Sequence, residues 1–376
     1  MNGGVVLAHQ WLVAERGAEV VLRELMRLFP DAPIACLVKS DDFNPPWLAG
    51  RKIIQSPLSK LPGAARYYRE MLALHPWAIA NLKLPDDCEF VFSTDAAMIK
   101  GLSLPPGIQH ACYCHSPPRY LWDQMENYCR RGGPISSARD WAFKLSAILC
   151  RSFDKTSSSN VDQFIANSAF VSKRIRSIYE RDSVVIFPPV EIGDFTPTEE
   201  HVDYYLIVSQ LVPYKRIDLA VEACSRLDKR LVVIGEGPER KRLESIRGPS
   251  VSILGRLARS DVTNALENCR AFLYPQVEDF GITAVEAQAA GKPVIAYRAG
   301  GALESIVDGE TGLFFDEQST ESLMDAILRF EAMDHAWTRD CRANAERFAP
   351  NRFRSEVKSF LLRHYPETFS DTTWPL

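Results

Sequence analysis

The chain has 376 residues, 46% of them hydrophobic and 24% charged, the balance of a folded protein long enough for two or three domains of ~150 residues. That excludes a disordered tail and a collagen-like fibre, and with no apolar run near the ~18 residues of a spanning helix it excludes a membrane-spanning bundle. The net charge of −4 is uneven: residues 1–187 carry 22 basic against 18 acidic side chains, and the remainder nets −8, so the basic excess is too small and local for a bulk nucleic-acid binder.

Residues 1–9 are too short and uncharged for a signal peptide, and 5–8 read as a first buried strand. A helix is expected over 18–29 and a strand over 34–38, with further strands at 90–92, 110–113, 164–166 and 184–187. Two insertions, 41–85 and 116–160, are rich in aromatic and basic residues. Between Arg51 and Lys83, the cations Arg51, Lys52, Lys60, Arg66, Arg69 and Lys83 meet only Glu70 before the acidic turn at 86–87, with Tyr67, Tyr68 and Trp77 interleaved. That mixture suits an anionic membrane surface and equally a solvated helix face over core aromatics. The nine cysteines are scattered with no CxxC pair. They read as buried thiols, Cys112 and Cys114 sharing one strand face, rather than as metal ligands or disulfides.

Pro188-Pro189 make a stiff break, read as a hinge. Beyond it the rhythm is clear. Apolar runs at 206–208, 231–234, 271–274, 294–296 and 312–315 alternate with helical stretches at 217–227, 261–268 and 282–290. Runs without polar alternation are strands buried on both faces, and their alternation with helices implies a parallel sheet. A helical tail, 352–364, follows Pro350. The expected organisation is an N-terminal domain over 1–187, a second domain over 188–351, and a tail over 352–376 that packs back on the first.

The strongest local signal is Val277-Glu278-Asp279-Phe280-Gly281-Ile282-Thr283-Ala284-Val285-Glu286, directly after a strand. Gly281 falls where a helix should start. A helix start offers free N–H groups and partial positive charge, which suit phosphate, and a glycine there lets a ligand approach the backbone. Glu278 precedes the helix, and Glu286 inside it can accept hydrogen bonds from a pair of hydroxyls. Read alone, the same residues also fit a surface carboxylate and a helix-interior glutamate.

"VEDFGITAVEAQAAGKPVIA" (277–296) resembles the signature of retaining glycosyltransferases of family four, with the GT-B fold. "RGAE" (16–19), "CYCHSPPRYLWD" (112–123), "IANSAFV" (165–171), "VSQLVPYKRIDLAVEA" (208–223), "VVIGEGPE" (232–239), "GGALESI" (300–306) and "DGETGLFF" (308–315) follow in family order. The resemblance covers nearly the whole chain. It implies an α/β fold of two facing Rossmann-like parallel-sheet domains with an interdomain cleft, the first binding acceptor and the second a nucleoside diphosphate sugar, with no required cofactor and no bound metal.

By this resemblance Glu278 contacts donor-sugar hydroxyls. Asp279, Phe280, Gly281 and Ile282 offer backbone groups, Glu286 binds the ribose, and Lys215 neutralises the diphosphate. Gln210 stands where the family often has a second cation, and Arg216 or Arg256 is expected to compensate. His115, after its strand, is expected near donor sugar and acceptor, with Arg119 and Tyr120 close by. Gly17 leaves room for the diphosphate, while Glu19, Asn167 and Ser168 read equally as helix-start residues. Gly235 and Gly237 are expected to serve a tight turn.

The motifs resemble bacterial surface-polysaccharide enzymes using GDP-mannose, with a UDP-sugar as the alternative donor. The acceptor expected is a glycan or a polyprenyl-diphosphate-linked oligosaccharide. The expected place is the cytoplasm, peripheral at the inner membrane face through 51–83. Two other classes compete with this reading. One is a non-catalytic two-lobed nucleotide- or sugar-binding protein, which Glu278, Lys215 and His115 together argue against. The other is a dinucleotide-dependent dehydrogenase, which would need G-x-G-x-x-G after the first strand where only Gly17 stands.

Overall fold

Val5–His9 is buried at every position, as a strand covered on both faces must be, and it sits inside a seven-stranded parallel sheet. The computed structural model describes residues 4–125 and 134–370. Part of the 116–160 insertion and the end of the expected tail lie outside those residues. The chain divides into two units, Met1–Phe187 with Phe353–Leu376, and Pro188–Arg352.

In the first unit the strands are β1 (Val5–His9), β2 (Ile34–Cys36), β3 (Ile53–Gln55), β4 (Phe90–Asp95), β5 (Gln109–Cys114), β6 (Gln163–Ala166) and β7 (Ser183–Val185), in the order β3-β2-β1-β4-β5-β6-β7. The helices are α1 (Gly17–Leu28), α2 (Ala64–Tyr67), α3 (His75–Ala80), α4 (Arg119–Trp122), α5 (Pro134–Thr156) and α6 (Ala169–Tyr179). On one face, Leu22, Leu25 and Phe29 share a core with Phe90 and Phe92 and with Phe353, Val357 and Phe360 from the C-terminal helix. On the other face, Leu72, Ile79, Leu121 and Cys150 cover the sheet.

A buried ion cluster fastens that second layer. Lys100 is fully buried and pairs with Asp154 and, at 3.4 Å, with Asp95. Trp122 Nε1–H and the Tyr179 hydroxyl donate to the same Asp154 carboxylate at 2.8 and 3.0 Å. Burial alone would lower the Lys100 pKa; the two carboxylates outweigh it and raise the pKa above its ordinary value. The cluster ties α4, α5 and α6 to the carboxyl end of β4.

The second unit holds β8 (Tyr205–Val208), β9 (Leu231–Ile234), β10 (Val251–Leu254), β11 (Ala271–Tyr274), β12 (Val294–Tyr297) and β13 (Gly312–Phe315), all parallel, in the order β10-β9-β8-β11-β12-β13. Its helices are α7 (Ile217–Arg226), α8 (Arg240–Ile246), α9 (Arg259–Asn268), α10 (Ile282–Ala289), α11 (Ala302–Ser305), α12 (Thr320–Glu331) and α13 (Trp337–Glu346). A last helix, α14 (Pro350–His364), starts with proline at its first position, where the missing N–H costs nothing.

The α/β class and the two Rossmann-like parallel sheets are those expected. Two edge strands, β3 and β10, were not. Each is half solvated, with burial alternating along β10, so neither shows the continuous apolar run that marked the central strands. Eight described cysteines are free and buried, and burial pushes the Cys36 thiol up to about 12. No described helix is long and apolar enough to cross a membrane.

Candidate functional site

In the second sheet the strand order reverses between β8 and β11, which pair directly through Ala271–Tyr205 and Phe272–Leu206. Loops leaving the carboxyl ends of strands diverge at such a reversal and open a crevice. The loop after β8 carries Gln210, Lys215 and Arg216; the loop after β11 carries Glu278 to Gly281. Lys215 ends a single helical turn, Pro213–Lys215, and its ammonium pairs with the Glu278 carboxylate across the reversal. The two side chains are only 15% and 19% exposed, so their charges meet in a partly dried site where ionic interactions are stronger than on an open surface.

The acidic loop is shaped by glycines outside it. Gly301 N–H donates to Glu278 O at 2.8 Å. A Cβ on Gly301 would lie 2.3 Å from Phe280 Cα, and one on Gly300 2.5 Å from Glu278 O. Phe280 is buried edge-on against Phe348, with ring centroids 5.3 Å apart. The "GGALESI" segment is therefore the mould on which Glu278, Asp279 and Phe280 are cast.

Gly281 sits at φ +96°, a left-handed backbone that side chains resist. A Cβ there would come 2.3 Å from the Tyr274 hydroxyl. The missing side chain therefore makes room for Tyr274. Ile282 then opens α10, and the N–H groups of Ile282 and Thr283 stand where the helix itself has no acceptor to offer. Glu286 is buried in that helix and meets Arg259 Nη2 at 2.8 Å. Arg259 lies over the Phe195 ring and 3.7 Å from Asp194. Sequence reasoning missed Arg259 because it missed the strand β10 that delivers it.

Of the cations expected to replace a missing charge at Gln210, the structure commits one. Arg216 adopts a left-handed backbone and turns to its own helix, bonding Asp218 at 3.2 Å and the Gln318 carbonyl at 3.5 Å. Gln210 is exposed, and so is Arg256 after the edge strand β10. Gly235 and Gly237 pack on backbone, where a Cβ would meet Ser209 O at 1.8 Å and Leu211 O at 2.2 Å. The close approach is to the loop after β8.

In the first sheet, parallel register brings His9, Asp95, His115 and Asn167 to one carboxyl edge, through the pairs His9–Thr94, Asp95–Cys114 and Cys114–Ala166. His115 N–H donates to Asp95 O at 2.8 Å. Gly17 opens α1 at this edge. Glu19 is buried, accepts from Arg16 N–H at 2.8 Å and pairs with His9 at 3.3 Å, so it serves the helix start. Ser168 caps α6 by accepting from Val171 N–H at 3.0 Å. Arg119 Nε lies 3.3 Å from Asp123, which Arg174 also binds. Among the described residues no three His, Cys, Asp or Glu side chains gather as a metal site.

Burial, with His9 nearby, lowers the His115 pKa to about 3. The ring is neutral at pH 7. His110 is buried and lowered to about 4. Its Nδ1 donates to Asn160 O at 2.9 Å, leaving Nε2 to accept from Ser93 at 2.7 Å. Both imidazoles ionise near 6.5 in an unfolded chain, so the unfolded state takes up protons first. The unfolding free energy therefore falls as pH drops from about 6.5 towards 4. Denaturant unfolding at stepped pH should show that decline, and replacing both residues by glutamine should flatten it.

Residues 194–348, the bulk of the second unit, match the family model of glycosyl transferases group 1. An uncharacterized glycosyltransferase of Methanocaldococcus jannaschii is 29% identical over 188 residues, 49% of this chain and 53% of that protein. A GDP-mannose-dependent alpha-mannosyltransferase of Corynebacterium glutamicum is 27% identical over 164 residues, 43% of this chain and 39% of that protein. These matches span about half or less of the relatives' length. Among solved structures, sucrose-phosphate synthase of Thermosynechococcus elongatus superposes with a TM-score of 0.71 at 18% identity, covering 97% of this chain and 100% of that one. That likeness is one of fold, the GT-B fold.

Proposed function

We propose that the chain is a retaining, metal-independent glycosyltransferase that moves a hexose, mannose from GDP-mannose, to a hydroxyl of a glycan or lipid-linked oligosaccharide. The observation that carries this is the Lys215–Glu278 pair at the strand reversal, beside the open N–H groups of α10. A sugar diphosphate needs a cation and N–H donors for its phosphates and an acceptor group for its sugar hydroxyls. The pair and the helix start supply these from adjoining loops. Glu286, held by Arg259, accepts from the ribose hydroxyls. Residues 188–351 hold the donor and 1–187 the acceptor.

Retention without a protein nucleophile calls for front-face transfer. The bond from the anomeric carbon to the diphosphate oxygen breaks as the acceptor oxygen bonds on the same face, and the acceptor's proton passes to the departing diphosphate. The protein's part is positioning, with charge stabilisation of the leaving group by Lys215 and the α10 amides. His115, neutral, donates a hydrogen bond to a sugar hydroxyl. Support for mannose comes from the motif resemblance and from the name of the Corynebacterium relative.

A lipid-linked acceptor places the chain in the cytoplasm at the inner membrane face, with the cations of 51–83 against anionic lipid. The structure removes one of them from that role: Arg51 is spent on the carbonyls of Met26 and Phe29, at 3.0 and 3.1 Å, and Tyr68 is buried. Lys60, Arg66, Arg69, Tyr67 and Trp77 are exposed.

Thermal denaturation with GDP, UDP, ADP and their sugars tests the donor. A ligand at 100 times its Kd stabilises by roughly 2.7 kcal/mol. GDP and GDP-mannose should raise Tm and the others should not. A UDP-selective shift moves the donor to a UDP-sugar. No shift with any nucleotide removes the donor reading itself.

A further inference from the structure

The chain leaving β10 delivers Arg259, the first residue of α9, to Glu286 on α10. Glu286 lies four residues after Ile282, so it stands one turn along the same side of α10 as the open N–H groups. It is buried, and a buried carboxylate left without a cation or donors is costly. Arg259 is its cation, with Nη2 2.8 Å from Oε1. No hydrogen bond from any other described side chain reaches the Glu286 carboxylate. The guanidinium is itself supported. It lies over the Phe195 ring, 5.2 Å from the centroid, a contact that holds its plane and uses none of its N–H groups. Asp194 stands 3.7 Å from the same Nη2. Burial would lower the Arg259 pKa; the two carboxylates outweigh it and raise the pKa, so the guanidinium stays charged.

We infer that Arg259 is a positioning residue that holds Glu286 Oε1, leaves Oε2 to the ribose hydroxyls, and thereby sets a preference for ribonucleotides over 2′-deoxyribonucleotides. A carboxylate on a flexible side chain loses rotamer freedom when it takes up a ligand; one already fixed by a guanidinium has lost it beforehand. The group also has the right charge. Two carboxylates face one cation, which leaves an excess of acceptors, and a hydroxyl offers the donor they lack. An arginine suits this place better than a lysine, because its plane rests on Phe195 while its edge meets Glu286. The preference rests on the proposed ribose contact of Glu286 and assigns its strength to a residue that acts through that glutamate.

The test is calorimetric titration of the full chain with GDP, UDP and ADP, each against its 2′-deoxy counterpart. The diphosphate that binds should bind at least ~10-fold more tightly than its 2′-deoxy form, the worth of one hydrogen bond to a charged group. In Arg259→Gln that ratio should fall to about 2, while the affinity for the 2′-deoxy form stays as it was, which also shows that the variant is folded. Arg259→Lys returns the charge and should recover part of the ratio. In steady-state transfer the loss in Arg259→Gln should fall on KM for the donor rather than on kcat. The proposal is overturned if the native chain binds both forms equally, or if Arg259→Gln keeps the native ratio. It is overturned too if Arg259→Gln weakens both forms by the same factor, since the pair then only fastens α9 to α10; in these cases the donor reading stands. A native chain that binds none of the three diphosphates removes the donor reading and the proposal together.

Discussion

Replacing Lys215 with alanine lowers kcat/KM for sugar transfer by at least ~100-fold, about 2.7 kcal/mol of transition-state stabilisation. In the proposed reaction the diphosphate gains negative charge as the sugar leaves, and Lys215, paired with Glu278 at the strand reversal, is the cation proposed to meet it. Gln210 brings no charge and Arg216 is held by Asp218, so neither replaces it. Glu278→Ala should cost a similar factor, since it removes the acceptor for the sugar hydroxyls and the partner that fixes the ammonium. Because the two residues act as a unit, the double variant should lose little more than either single one. Steady-state kinetics on the three variants decides this. Full activity in either single variant would remove the Lys215–Glu278 pair from the transfer reaction.

Gly281→Ala should destabilise the chain by about 2–4 kcal/mol and disorganise the acidic loop. Part of that is backbone, an alanine forced to a left-handed φ of +96°. The larger part is the overlap of its Cβ with the Tyr274 hydroxyl, 2.3 Å away. Tyr274→Phe removes that oxygen and leaves a ring carbon, 3.0 Å away, as the nearest atom. In the Tyr274→Phe background the same glycine substitution should therefore cost measurably less. Denaturant unfolding of the native chain, the two single variants and the double variant gives the coupling directly. Equal cost in both backgrounds would show that Tyr274 is not the reason for the glycine.

The second unit was the more legible half. Its central strands β8, β9, β11 and β12, and the covered edge strand β13, are buried and apolar at nearly every position, so composition alone marks them. The edge strand β10 is half wet and carries no such mark, and with β10 unseen Arg259 had no place beside Glu286. The position of α10 was readable from Gly281. The cause of that glycine was not, because Tyr274 lies seven residues back and meets it only once β11 and the loop have folded. Nor does a sequence show that Arg216 bonds Asp218 from a left-handed backbone. In the first unit the continuous burial of β1 and β4 made the sheet visible.

The most direct measurement is a crystal structure of the chain with GDP bound. The account predicts phosphate oxygens within ~2.7–3.2 Å of the Ile282 and Thr283 N–H groups and of Lys215 Nζ, with the ribose hydroxyls on Glu286. A nucleotide found away from the carboxyl ends of β8 and β11, with the Lys215–Glu278 pair untouched by it, would contradict the account.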